Sequence, residues 1–239
     1  MTRRYAAFDI ETAKLLPAGV DDVLAHRPLG IACAAVAFAD GTEPRTWVGG
    51  DPAGPAPRRS QAEAKELVAA LAGLVSDGYT LLTWNGLHFD FNVLAEESGL
   101  VAECGRLALG HVDMMFHAVC GLGHFVGLQK VAEALQIPGK TAGISGAEAP
   151  ALWAAGRHAE VLAYNVQDVR LTLAVAQACE QRRELPWLTR KGTIGRMPLP
   201  RGWLSAAEAL RLPLPDTSWM TSPPVRERFF AWIAPEDSA

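Results

Sequence analysis

Residues 5–12, YAAFDIET, place Asp9 and Glu11 two apart inside an apolar strand. Side chains i and i+2 of a strand leave the same face, so the two carboxylates stand side by side over one space. Like charges that close repel, and burial costs each several kcal/mol unless something offsets it. Any fold for this chain must therefore bring a neutralising partner, or solvent, against one end of its first strand.

The 239 residues are 49% hydrophobic and 20% charged, which suffices for one domain of generous size with an appendage. A net charge of −4 excludes a protein that coats polyanions through its average charge. A nucleic-acid role needs a local basic surface instead. Cys33, Cys104, Cys120 and Cys179 form no CxxC pair, which argues against a zinc or thioredoxin-type motif and for thiols packed in a core in a reducing compartment. The six histidines show no zinc-ligand spacing. The most apolar run, residues 31–39, is too short to span a bilayer. No signal segment precedes the first strand, so the expectation is a cytoplasmic protein with no membrane partner.

Strand signals fall at 5–10, 30–39 and 45–48, a meander joined by turns. The Gly/Pro-rich residues 49–59 read as a surface loop. Ser60 and Glu63 form an S-x-x-E capping box ahead of Leu67, Leu71, Leu74 and Val75 at helical spacing. Residues 79–84 read as a buried strand, Asn85–Gly86 as a turn and 90–98 as a helix. Residues 107–119 are mostly helical in pattern, with a fifth strand fitting 111–114. Helices follow at 128–135 and about 159–180, separated by a small-residue, mobile loop at 139–150. This order predicts an α/β fold, a mixed sheet flanked by helices, over residues 1–182. Residues 183–239 read as an irregular Pro/Trp-rich extension, packed on the domain by Trp187, Trp203, Trp219 and Trp232. Between 182 and 211 seven Arg and Lys residues face only Glu184 and Glu208. That stretch fits a solvated surface or a phosphate grip equally well.

Two more carboxylates sit in unusual company. Asp90 lies between Phe89 and Phe91, just past a turn; alone it fits a helix N-cap. Tyr164 and Asp168 share a helix face at i, i+4; alone they fit a surface pair. His111 and Asp113, in HVDMM, fit a turn and helix cap or a metal role. GLGHFVG (121–127) follows no clear strand and fits a hinge better than a dinucleotide fingerprint. If Asp9, Glu11, Asp90 and Asp168 converge, two hard divalent cations, Mg²⁺ or Mn²⁺, would neutralise them. Such a pair is a common device for in-line phosphoryl displacement.

The set FDIET, NGxxFD and YxxxD, in this order, resembles the three motifs of the DEDD 3′–5′ exonucleases. The Tyr164-x3-Asp168 form resembles the tyrosine subclass, DEDDy, as in the proofreading domains of family-B DNA polymerases. HVDMM followed by GLQKVAEALQI resembles the middle segment of stand-alone bacterial members. The resemblance covers residues 5–180. It implies an RNase-H-like, five-stranded mixed sheet and hydrolysis at single-stranded DNA or RNA 3′ ends. It implies that Asp9 bridges two metals, that Glu11 and Asp168 hold the metal that activates water, and that Asp90 acts on the other. Tyr164 would orient the attacking water. Ile10, Thr12 and Asn85 would lie near the terminal nucleotide, with Trp84 and Phe89 beside its base or sugar. The competing expectation is a nucleic-acid-binding or scaffolding module on the same fold with little turnover.

Overall fold

The computed structural model describes residues 3–17, 19–51, 53–139 and 146–233. In chain order its elements are β1 (Tyr5–Thr12), β2 (Ile31–Phe38), β3 (Arg45–Val48), the short rungs β4 (Gly50–Asp51) and β5 (Gly54–Pro55), α1 (Gln61–Ser76), β6 (Thr80–Thr83), α2 (Asp90–Ser98), α3 (Val101–Gly110), β7 (Val112–Asp113), α4 (Met114–Leu122), α5 (Leu128–Leu135), α6 (Ala149–Ala154), α7 (His158–Arg182), β8 (Glu184–Leu188), β9 (Ile194–Pro198) and α8 (Ala206–Ala209). The main sheet runs β3-β2-β1-β6-β7. β2 pairs antiparallel with β1 and β3, whereas β6 runs parallel to β1 and β7. This is an RNase-H-like mixed sheet flanked by helices.

The period-two alternation of β1 divides the core. Ala6, Phe8 and Ile10 face one layer, with Leu67 and Leu71 of α1 and Phe91 of α2. Tyr5 and Ala7 face the other, with Ala35 and Ala37 of β2 and Val169, Val175 and Cys179 of α7. The short alanines leave room for α7 to lie close on the sheet. Asp9 and Glu11 continue that second face, so α7 is the element that must answer them.

α7 carries a buried stripe at helical spacing: Val161, Tyr164, Asn165, Asp168, Val169, Thr172, Val175, Ala176 and Cys179. Its C-terminal half is largely apolar and packs beneath Tyr5 and Ala7. Its polar residues fall where the helix crosses the carboxylate end of β1. The change of chemistry along the stripe matches the change along the strand.

The capping box at Ser60 and Glu63 is present in full. The mostly helical stretch over 107–119 is two helices split by β7, which falls inside the strand expected at 111–114. α3 ends at Gly110, and Asp113 caps α4 by accepting from Phe116 N–H at 3.0 Å. The Gly/Pro-rich segment at 49–59 forms the small β4–β5 ladder. Most of the loop expected at 139–150 lies outside the described residues, and α6 begins at its end.

The extension is not irregular throughout. β8 and β9 form an antiparallel hairpin, and Ser205 with Glu208 builds a second capping box on α8. Pro186 and Pro198 argue against strands in a central sheet, but an isolated two-stranded ribbon tolerates them. Trp187 crosses to Gly195, where a Cβ would sit 2.4 Å from its indole ring. Trp203 is fully buried and donates from its indole to Ala176 O at 3.0 Å. Trp232 donates to Leu87 O at 2.8 Å. Trp219 departs from the expected anchoring role: it is 68% exposed. Arg226 is an anchor that composition did not reveal. It is buried and donates to the carbonyls of Cys120, Leu212 and Pro213. No helix among the described residues is long and apolar enough to cross a membrane.

Candidate active site

Asp9, Glu11 and Asp168 each offer a carboxylate oxygen, and these atoms all lie within 4.8 Å of one another. Glu11 and Asp168 are buried, and Asp9 is partly so. Three oxygen-only anionic donors at that spacing suit a hard divalent cation. Opposite Glu11 on β2 stands Cys33, whose thiol is pushed up by burial and by the charges of Glu11 and Asp9. It stays protonated and adds no charge to the cluster.

The cluster forms one wall of a cleft of about 660 Å³. Tyr164 and Asp90 line the same cleft, as do Ile10, Thr12, Trp84, Asn85 and Phe89. The carboxylates and the tyrosine of the three motifs, with Ile10, Thr12, Trp84, Asn85 and Phe89, therefore line one cleft, whereas His111 and Asp113 do not. Asp90 stands outside the compact trio. β6 ends its pairing with β1 at Ala7↔Leu82, and beyond that point Ile10 N–H donates to Asp90 Oδ1 at 3.0 Å. Asp90 is thus not the N-cap of α2, whose cap is Phe89; its carboxylate reaches across to β1. Burial pushes its carboxyl up to about 7, opposed by the hydrogen bond from Ile10 and helped by the charge of Asp113.

The sequence matches the family model of the RNase_H superfamily over residues 6–179. The chain belongs to the RNase_H superfamily. No curated protein matches it. Among solved structures, the family B DNA polymerase of the hyperthermophilic archaeon Pyrobaculum calidifontis is similar over 75% of this chain and 25% of its own, with 20% identity and a TM-score of 0.54. A product-bound exonuclease I is similar over 76% of this chain and 44% of its own, with 15% identity and a TM-score of 0.42. A moderately thermophilic exonuclease I from Methylocaldum szegediense matches over 76% of this chain and 41% of its own, with 16% identity and a TM-score of 0.36. This chain thus spans less than half the length of each of these structures.

Within this RNase_H superfamily fold, Asn165, which no motif singled out, and Asp113, singled out as a cap or metal ligand, support the cleft from behind. Asn165 is fully buried on α7 and donates to Asp9 Oδ2 at 2.6 Å, which fixes that carboxylate. A polar amide in the middle of a buried helical stripe is the signal that marks it. Asp113 carries the turn after β6. Its carboxylate accepts from Asn85 N–H at 3.0 Å and Leu87 N–H at 2.9 Å, besides capping α4. Asn85 is thereby held at φ 76°. Gly86 follows because a Cβ there would lie 2.5 Å from Thr83 Oγ1. His111 is buried against Thr83 Oγ1 at 2.9 Å. His111 and Asp113 both lie outside the three-carboxylate group.

Asp113→Ala leaves three N–H groups without their acceptor. At about 1–3 kcal/mol for each buried group, the expected loss is at least about 3 kcal/mol. That corresponds to a melting temperature lowered by roughly 10 °C in a domain of this size. Thermal unfolding checks it; a shift of a degree or two would mean that the turn holds without Asp113.

Proposed function

We propose that this chain is a metal-dependent 3′–5′ exonuclease of the tyrosine subclass, DEDDy. It would hydrolyse terminal phosphodiesters of single-stranded nucleic acid and release nucleoside monophosphates. The observation that carries the reading is the meeting of Asp9, Glu11 and Asp168 beside Tyr164 in one cleft. Membership of the RNase_H superfamily over residues 6–179 supports it.

Asp9, Glu11 and Asp168, with Asp90 directly or through water, would hold two Mg²⁺ or Mn²⁺ ions. Bound there, such ions supply charge neutralisation, a lowered water pKa and stabilisation of the leaving oxygen. Asn165 keeps Asp9 from turning away, through its 2.6 Å hydrogen bond. Tyr164, one helical turn ahead of Asp168, orients the attacking water with its hydroxyl. Water adds to the terminal phosphorus, the bond from phosphorus to the 3′-oxygen of the penultimate nucleotide breaks, and that oxygen takes up a proton. Asn85 Oδ1 is buried without a partner among the described residues; it can accept from the terminal 3′-hydroxyl. Trp84 and Phe89 offer apolar surface to the terminal sugar and base.

A linear single strand and a covalently closed circle of the same sequence separate exonuclease from endonuclease action. Degradation of the linear strand alone is expected, and nicking of the circle would contradict the reading. Tyr164→Phe is expected to lower the rate by about a hundredfold, within the range of a positioned proton-transfer group. Its stabilisation by Mn²⁺ should match that of the parent. An equal loss of metal stabilisation would remove Tyr164 from the water-orienting role.

A further inference from the structure

A second cleft, of about 460 Å³, opens at the C-terminal end of α7 and is lined by Arg3, Tyr5, Gln177, Glu180, Arg183 and Arg201, among others. It lies at the far end of β1 from the carboxylates. Six rises along the strand, about 20 Å at 3.3 Å each, separate Tyr5 from Glu11. The charge in this cleft is unbalanced. Three guanidiniums and one carboxylate line it, Glu180 already accepts from the Tyr5 hydroxyl at 2.7 Å, and Glu208, outside the lining, is a further carboxylate that feels Arg3 and Arg201. Among the described residues, none of the three arginines makes an ion pair.

Two of the three guanidiniums are positioned by main chain. Arg3 Nη1 donates to Trp203 O, and Arg183 Nη1 donates to Pro200 O at 2.9 Å. Gly202, at φ 72°, lets the turn that carries Arg201 press onto Glu180; a Cβ there would lie 2.8 Å from Glu180 Oε1. A guanidinium has five N–H donors in a planar fork, so each arginine keeps donors for an oxyanion. The cleft offers no open aromatic face, since Tyr5 is 1% exposed and its hydroxyl is engaged. Stacking on aromatic rings is how single-stranded bases are gripped. A site without it reads charge and ignores base identity.

We propose that this cleft binds the phosphodiester backbone of a nucleic-acid strand, remote from the carboxylate cluster and without regard to sequence, through Arg3, Arg183 and Arg201. The assignment rests on the proposed function in taking nucleic acid as the ligand. It implies that a strand long enough to reach both clefts binds more tightly than one that fills the carboxylate cleft alone.

The test is fluorescence anisotropy in EDTA on the full chain, so that no turnover intervenes. Probes are a trinucleotide and an oligothymidylate of about twenty nucleotides. The double variant Arg183→Gln, Arg201→Gln should bind the long strand about tenfold more weakly, and its logarithmic salt slope should fall by about 1.4 for two lost single-strand contacts. Trinucleotide binding should be unchanged, and Arg201→Lys should keep most of the long-strand affinity. Unchanged long-strand affinity and slope would overturn the proposal. Equal loss on the trinucleotide would place the effect in the carboxylate cleft and overturn it too. Inorganic phosphate that stabilises the parent but not the double variant, with long-strand affinity unchanged, would assign the cleft to a free anion and overturn the strand assignment. If the parent binds no strand at all, the nucleic-acid reading fails together with this one.

Discussion

Asp168→Asn is expected to abolish metal-dependent cleavage while leaving the metal-free protein at least as stable as the parent. Asp168 shares a space of 4.8 Å with Asp9 and Glu11, and it is buried. Without a cation, three such carboxylates repel one another, and neutralising one relieves that repulsion. Asn keeps the size of the side chain, so packing on α7 is preserved. In EDTA the variant should melt at the parent's temperature or above. A saturating divalent cation reverses the order. A ligand at about a hundred times its dissociation constant stabilises the folded form by about 2.7 kcal/mol, or about 5–10 °C for a domain of this size. The parent should show that rise with Mn²⁺, and the variant little of it. A variant that melts well below the parent in EDTA would show that Asp168 is a structural partner rather than one of three crowded anions.

Asp90→Asn is expected to change the pH dependence of stability in the metal-free protein. Burial raises the Asp90 carboxyl to about 7, whereas an unfolded Asp titrates near 4. Below about pH 4 both states hold the proton and no penalty arises. As pH climbs from there through about 7, the unfolded chain has released a proton that the folded chain retains, so stability falls. Above the folded value both states are ionised and the deficit is constant, on the order of a few kcal/mol. Asn cannot ionise, and its side-chain oxygen can still accept from Ile10 N–H. The stability of the variant relative to the parent should therefore rise between about pH 4 and 7 and then level off. Denaturant unfolding of both proteins in EDTA, taken across that range, checks it. A difference that stays flat with pH would mean that Asp90 is not raised.

The fold was legible wherever one residue pattern admitted one packing. The alternation in YAAFDIET places two carboxylates on a single face, and the stripe on α7 repeats the same passage from apolar to polar. Those two patterns already bring Asp9, Glu11, Tyr164 and Asp168 together. Asn165 was harder to see, because an amide inside a helical stripe has no motif of its own. Asp113 was visible as a helix cap. Its hold on Asn85 and Leu87 was not, because it joins segments about 26 residues apart. The hairpin β8–β9 was hidden by its prolines, which exclude a central strand but not an isolated ribbon. α8 carries the same S-x-x-E spacing as α1, and Ser205 with Glu208 would have announced it. The cleft at the end of α7 could not be read at all, because Arg3, Arg183 and Arg201 meet only through the return of the chain onto β1.

The most direct test of the central claim is incubation of the purified protein with 5′-labelled single-stranded DNA and RNA of one sequence, with Mn²⁺, Mg²⁺ or EDTA, beside Asp9→Ala. The account predicts a metal-dependent ladder that shortens from the 3′ end and is absent with the variant. An equal ladder from Asp9→Ala, cleavage in EDTA, or no cleavage of either strand by a protein that still binds them would contradict it.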